Sequence, residues 1–401
     1  MLKKLYNKFL QYKNEKSLSY HIKRSIFLRT KWVYNFISPF TKVKKNKIVF
    51  SNFWGRGYGC NPKYIAQYII EHNLPFKLYW LIDKQKCKNE TYLPKEIKEV
   101  DINSFGALYH LSTAFVWIDN SRKFLYPPKK KSQLYIQTWH GNVGPKKIEK
   151  SAENNLEDWY KKNAKKDSQM IDLCISGSSH LTQIYKNDFW YSGQVLESGY
   201  PRTDILFNDT KIQNLKCELG YFDKKICIYA PTFRNNNSLK PYNLDYGKLK
   251  TSLESKFGGN WIIFLRFHPN MIDFININLP DFVVNVSQYS DVQELMAISD
   301  CMITDYSSII FEFMLTKRPA FIYASDLNEY KKNERSFYFT LDSTPFSLAK
   351  DNNELSNNII NFNNIEYKKK IIAFSNKMHI FDDGKSSERI INWIEQKQIG
   401  R

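Results

Sequence analysis

The chain has 401 residues, 42% of them hydrophobic and 16% aromatic, and carries a formal net charge of +19 at pH 7. That length exceeds one ordinary core and implies two domains of roughly 150–200 residues each, while the apolar content excludes a disordered chain. The six cysteines (Cys60, Cys87, Cys174, Cys217, Cys227 and Cys301) show no C-x-x-C spacing, which argues against a zinc site or a disulfide framework and for a reduced, cytosolic setting.

No apolar run approaches the roughly 20 residues that span a bilayer, and the N-terminus lacks the continuous apolar stretch of a signal peptide. Residues 1–46 form a basic leader: up to Lys47 there are thirteen Lys or Arg against the single acid Glu15. Leu2, Leu5, Phe9, Ile22, Ile26, Trp32 and Phe36 recur among these charges at spacings near three and four. The pattern predicts one or two amphipathic helices with basic polar faces, suited to the headgroup region of an anionic membrane. The plainer alternative is an apolar side packed on the chain's own domain. Without an RNA- or DNA-binding motif, nucleic acid is not an expected partner. The expected location is the cytoplasmic face of the cell membrane, held peripherally.

From Lys47 onward, strand and helix patterns alternate. Ile48-Val49-Phe50 reads as a strand, 61–72 as a helix and 76–82 as the next strand. Strand-like runs follow at 115–118, 134–136 and 172–175. After a helix at 208–215, a second series occupies 225–230, 261–267, 282–285, 301–304 and 320–323. This is a βαβ signature repeated in tandem, so the expected fold class is α/β, with two Rossmann-like domains covering 47–205 and 206–401, the last helix free to cross back.

Chemistry-bearing residues follow the apolar runs. The strand Leu134-Tyr135-Ile136 leads into Gln137-Thr138-Trp139-His140-Gly141, and strand carboxyl ends open into the ligand crevice of such sheets. A histidine there can serve as a base near neutral pH, although a lone histidine at a strand end is more often a hydrogen-bonded structural residue. Arg202, Arg234 and Arg266 are fixed cations able to fork onto phosphate oxygens. Ser307 and Ser308 follow Asp305 at the expected start of a helix over 309–315, where free N–H groups attract an anion; a simple N-cap is the plainer reading. Pro201 and Pro231 read as rigid turns. There is no G-x-x-x-x-G-K-[ST], G-x-S-x-G or H-E-x-x-H, and Gly55-Arg56-Gly57-Tyr58-Gly59 does not fit the dinucleotide fingerprint. With no acidic metal-binding triplet evident, no metal or cofactor is assigned.

In order, Ser51-Asn52-Phe53-Trp54-Gly55-Arg56 with Asn61-Pro62-Lys63, Trp117-Ile118-Asp119-Asn120-Ser121-Arg122, the His140 loop, Gly199-Tyr200-Pro201-Arg202-Thr203-Asp204, Ala230-Pro231-Thr232, Arg266-Phe267-His268-Pro269, Asp305-Tyr306-Ser307-Ser308 and 381–389 resemble the motifs of the CDP-glycerol glycerophosphotransferase family. The resemblance covers about residues 47–395 and implies a GT-B type pair of α/β domains around a central cleft. It implies transfer of glycerol phosphate from CDP-glycerol to a hydroxyl of a lipid-linked or polymeric glycan, with CMP released. By the same resemblance His140 is the general base, and His268 acts with Arg266 on the pyrophosphate. The other expected donor-binding residues are Trp139, Gly141, Asn142, Val143, Arg202, Pro231, Thr232, Arg234, Asp305, Ser307, Ser308 and Glu312.

Two departures stand out. After Gly141 many members continue Thr-Pro-Leu-Lys where this chain has Asn142-Val143-Gly144-Pro145, and Thr203 replaces the usual asparagine. The acceptor is therefore open among teichoic acid, capsule and lipopolysaccharide. The alternatives are a CDP-ribitol donor, a GT-B sugar-nucleotide glycosyltransferase, and a non-catalytic glycan- or lipid-binding scaffold.

Overall fold

The computed structural model describes residues 22, 25–27, 29–87, 92–123, 127–141, 143, 146–232, 242–267, 279–327, 329–330 and 338–400. Two parallel sheets organise these residues. The first contains β1 (Lys44–Ser51), β2 (Lys77–Ile82), β3 (Ile97–Asp101), β4 (Ala114–Asp119), β5 (Leu134–Gln137), β6 (Leu173–Ser176) and β7 (Gln194–Glu197), in the order β3-β2-β1-β4-β5-β6-β7. The second contains β8 (Lys225–Tyr229), β9 (Trp261–Leu265), β10 (Val283–Asn285), β11 (Cys301–Thr304), β12 (Ala320–Tyr323) and β13 (Ser347–Ala349), in the order β10-β9-β8-β11-β12-β13. Each sheet therefore runs 3-2-1-4-5-6 in its own numbering, the doubly wound order, with one further strand on the first.

The central strands are buried on both faces, which is why they read as unbroken apolar runs: every residue of β4, β5, β6, β9 and β11 is buried. Several of the helices that cover them begin at short polar residues that cap them. Ser104 caps α2 (Phe105–Thr113), which follows α1 (Cys60–Glu71), through the Ala107 N–H at 3.2 Å. Ser178 caps α4 (Ser179–Asp188), which follows α3 (Asp158–Met170), through the Leu181 N–H at 3.1 Å. In the second lobe, α5 (Asp209–Glu218) and α6 (Tyr246–Phe257) precede α7 (Val292–Ile298), which Asp291 caps. After α7 come α8 (Ile309–Phe313), α9 (Asn352–Ile360), α10 (Asn364–Met378) and α11 (Ser386–Ile399).

The sequence pattern did not mark β3, β7 and β13. All three are sheet edges with exposed or half-buried residues, so they lack an apolar run. Two expected elements are shorter than read: β9 ends at Leu265, leaving Arg266 as the first residue beyond it, and α8 gives way after Phe313 to a 3-10 turn over Met314–Thr316.

The chain also crosses between lobes. Ile390, Ile391, Trp393 and Ile394 of α11 pack in the first-lobe core, while Val143, from the His140 loop, is buried with second-lobe residues. Of the basic leader, residues 1–21, 23, 24 and 28 lie outside the described residues. Among the described residues no helix is long and apolar enough to cross a membrane.

Candidate active site between the two lobes

In an open parallel sheet a crevice forms at the carboxyl ends of the two strands where the order reverses. In the first sheet those strands are β1 and β4, followed by the Asn52–Gly59 and Asn120–Lys123 loops; in the second they are β8 and β11, followed by Pro231-Thr232 and Asp305–Ser308. Four of the sequence motifs, those after β1, β4, β8 and β11, thus sit where this topology places ligands. His140 leaves β5, beside β4.

The His140 loop is built under strain. Trp139 has φ +51°, and three more non-glycine residues around the crevice, Phe53, Trp54 and Cys60, have φ between +41° and +58°. Such conformations cost about 1–3 kcal/mol each and persist only where the surroundings enforce them. The Trp139 N–H donates to Gln137 Oε1 at 2.9 Å, and the indole stacks on the His140 ring at 4.5 Å. Beneath it, the fully buried Arg122 holds Glu149 at 2.8 Å and Asp167 at 3.3 Å, with its guanidinium carbon 5.9 Å from the Trp139 ring. The turn after β1 requires glycine: Gly55 has φ +86°, and a Cβ there would meet the Asp83 nitrogen at 2.5 Å.

His140 is oriented through its inner nitrogen. Nδ1 lies 2.6 Å from the Asn120 carbonyl oxygen. A carbonyl only accepts, so Nδ1 carries the hydrogen, and in the neutral ring the basic lone pair falls on Nε2. Asn120 is itself pinned: its Oδ1 accepts the Phe53 N–H at 2.8 Å, and its Nδ2 donates to Asn52 Oδ1 at 2.7 Å. Phe53 closes the other side of the imidazole, edge-on at 5.0 Å.

The second lobe supplies the opposite wall. Asp305 accepts the Thr232 N–H at 2.9 Å and the Thr232 hydroxyl at 2.5 Å, so the two loops form one unit. Ser308 stands at the head of α8 without making a side-chain cap bond. The lobes meet here: a Cβ built on Gly141 would lie 3.8 Å from Ser308 Oγ. Arg266 Nη1 donates to the carbonyls of Val286 at 3.1 Å and Tyr289 at 2.7 Å. Burial pushes its pKa below the usual arginine value, and among the described residues it has no carboxylate at ion-pair distance.

Arg202 is bonded within the protein. Its guanidinium pairs with the buried Glu312, donates from Nη2 to the His140 carbonyl at 3.0 Å, and donates from Nη1 to Cys60 Sγ at 3.2 Å. Glu312 likewise faces Arg202 and Gln293. This pair ties the His140 loop to α8, so in this structure both residues brace the crevice from within. Asn142, Arg234 and His268 lie outside the described residues. Asn52, Asn61, Asn120 and Tyr200 carry no individual role that the sequence pattern marks. Yet Asn61 Nδ2 donates to the Trp139 carbonyl at 3.1 Å and the Tyr200 hydroxyl to the Gly141 carbonyl at 2.9 Å. Asn52 and Asn120 directly follow β1 and β4, where backbone turns need side-chain partners, and that position is the signal that could have found them; Asn61, in the first turn of α1, carries no such signal. Among the described residues, no group of three or more His, Cys, Asp or Glu is placed to hold a metal ion.

The model of the CDP-Glycerol:Poly(glycerophosphate) glycerophosphotransferase family matches residues 33–396. The chain belongs to this family. As a member of the glycerophosphotransferase family, it is 31% identical over 397 residues to the teichoic acid poly(glycerol phosphate) polymerase of Staphylococcus epidermidis, covering 94% of this chain and 54% of the relative. It is 32% identical over 371 residues to the teichoic acid glycerol-phosphate transferase of Staphylococcus aureus, covering 87% and 93% respectively. The chain spans about half the length of the Staphylococcus epidermidis and Bacillus subtilis poly(glycerol phosphate) polymerases that it matches. A solved structure of the wall teichoic acid polymerase TagF superposes with a TM-score of 0.79 at 29% identity, covering 96% of this chain and 99% of that one.

Proposed function

We propose that this glycerophosphotransferase family member transfers glycerol phosphate from CDP-glycerol to a hydroxyl of a lipid-linked or polymeric glycan, releasing CMP. Its two parallel-sheet lobes act as a GT-B type pair with the donor held between them. The observation that carries this reading is the meeting of the His140 loop of the first lobe with Ser308 of the second across the crevice.

Nε2 of His140 takes the proton from the acceptor hydroxyl, whose oxygen attacks the β-phosphorus. The bond from that phosphorus to the bridging oxygen breaks, and CMP leaves with the electron pair. Arg266, with His268, offsets charge growing on the pyrophosphate, and Ser307 and Ser308 hold phosphate oxygens, so catalysis comes mainly from positioning and charge neutralisation. Arg202 and Glu312 serve the donor indirectly, by holding the His140 loop against α8.

The acceptor is brought to a membrane surface. Phe27 and Tyr34 anchor the leader on Leu108, which turns Trp32, Phe36 and Phe40 outward beside Arg29, Lys31 and Lys42. Exposed rings among cations suit an anionic bilayer.

The test is incubation with CDP-glycerol and a lipid-linked glycan acceptor, following CMP release and the new phosphodiester by phosphorus NMR. CMP release with a phosphodiester supports the reading, whereas a product with a glycosidic bond alone overturns it. CDP-ribitol belongs in a parallel arm, because a teichoic acid ribitol-phosphate primase of Bacillus spizizenii is 34% identical over 307 residues. Faster turnover there would transfer the proposal to ribitol phosphate.

A further inference from the structure

We propose that Lys63 is a positioning residue whose buried charge sets where the His140 loop stands relative to the second lobe; this rests on the phosphotransfer reading above. Lys63 lies in the first turn of α1. Two residues earlier, Asn61 grips the crevice from the same turn, donating to the Trp139 carbonyl and accepting the Arg202 N–H at 3.1 Å. The turn that holds the histidine loop therefore also carries the cation that reaches across to the other lobe.

There the ammonium lies 2.6 Å from Asp291 Oδ2 and 2.5 Å from Glu294 Oε1, with only 7% of the lysine side chain and none of the Asp291 side chain exposed. The Tyr64 hydroxyl adds a bond to Asp291 Oδ2 at 3.1 Å. Burial by itself would lower the lysine pKa, but the two carboxylates outweigh it and hold the pKa above the ordinary value.

Both carboxylates lead onward into the second-lobe wall. Asp291 Oδ1 accepts the Gln293 N–H at 2.9 Å, and Gln293 Nε2 donates to Glu312 at 3.3 Å. Glu312 holds Arg202, which donates to the His140 carbonyl, so the chain of bonds closes on the loop where Asn61 began it. Glu294 Oε2 accepts the Tyr289 hydroxyl at 2.6 Å, and the Tyr289 carbonyl accepts Arg266 at 2.7 Å. One lysine is thus bonded into the supports of the proposed base and of the proposed pyrophosphate ligand.

A buried ion cluster is a poor source of stability, because desolvation cancels most of its attraction, but it tolerates few geometries. Lobe placement is the property such a cluster can control. A displacement near 1 Å between base and donor is enough to lower a rate about a hundredfold.

The test compares the parent with K63M/D291N/E294Q, which removes all three charges without stranding one, with Lys63→Arg, which keeps a cation, and with Glu294→Gln. The neutral triple variant is expected to bind CDP-glycerol within about twofold of the parent by calorimetry, since Arg266, Ser307 and Ser308 share the second lobe and the amide introduced by Glu294→Gln still accepts the Tyr289 hydroxyl, while kcat falls about tenfold or more. Small-angle scattering should show a wider spread of lobe positions, and Lys63→Arg should keep most of the parental kcat. Parental kcat in the triple variant would overturn the proposal, as would a loss of kcat that follows donor affinity and melting temperature in every variant. If the triple variant does not fold, Glu294→Gln decides: lowered kcat at parental donor affinity supports the role, and unchanged kcat removes it. A parent inert to CDP-glycerol would refute the phosphotransfer reading instead, leaving the scattering comparison to judge Lys63.

Discussion

The Nη2 of Arg202 donates a hydrogen bond to the backbone carbonyl of His140 at 3.0 Å while the same guanidinium pairs with Glu312. Three partners, counting Cys60, are met by one planar group, which a lysine ammonium cannot reproduce. Arg202→Lys should therefore lower kcat about tenfold and cost about 1–3 kcal/mol of stability, with CDP-glycerol affinity near the parental value. Calorimetric titration separates this bracing role from direct phosphate binding: a large loss of donor affinity would return Arg202 to the donor.

His140→Ala removes the imidazole that Asn120, Phe53 and Trp139 hold in place. Turnover should fall by about 10²–10⁴, the usual contribution of a general base. Donor binding should persist, because the residue acts on the acceptor. An unchanged rate of CMP release would exclude it as the base.

Among the described residues the Arg266 guanidinium is held by carbonyls, which leave its positive charge available to an anion. Arg266→Ala should weaken CDP-glycerol binding by about 1.5–3 kcal/mol, the range for hydrogen bonds to charged groups. Equal affinity in parent and variant would place the pyrophosphate elsewhere.

Trp32, Phe36 and Phe40 are exposed, whereas Phe27 and Tyr34 are buried. Changing the first three to serine should leave the melting temperature unchanged while reducing co-sedimentation with anionic vesicles, and raised salt should reduce it further. Undiminished sedimentation in both conditions would locate the membrane-binding surface elsewhere.

Asp167 is fully buried under the crevice, where it accepts the Tyr135 hydroxyl and the Lys123 N–H and pairs with Arg122. Burial raises its pKa from 3.8 to about 6, with Asp119 adding to the rise against the pull of Arg122. Between those values the folded chain keeps a proton that the unfolded chain releases. The stability Asp167 contributes is therefore complete below about pH 4 and lost as pH rises through about 6. The melting temperature of Asp167→Asn, relative to the parent, should climb between about pH 4.5 and pH 6.5; a relative fall over that window would contradict the assignment.

Much of the fold was legible because parallel strands buried on both faces must be apolar throughout, as Ala114–Ile118 and Trp261–Leu265 are. Edge strands such as Gln194–Glu197 carry no such pattern, since solvent covers part of them and pairing to one neighbour defines them. The motifs were legible too, because chemistry collects where strands end and Gly, Asn, Asp and Ser permit sharp turns.

The partners of each charge were not legible. Arg202 and Arg266 are the same residue type, each just beyond a strand, yet one is enclosed with Glu312 and the other rests on carbonyls. Nothing near Lys63 in the sequence indicates that Asp291 and Glu294, more than two hundred positions away, enclose it. Periodicity and turn chemistry are local properties, written in neighbouring residues, and they determined two α/β lobes with polar groups at their strand ends. Which of those groups face a ligand and which hold one another depends on how the lobes pack and where water is expelled, and only the tertiary structure decides that.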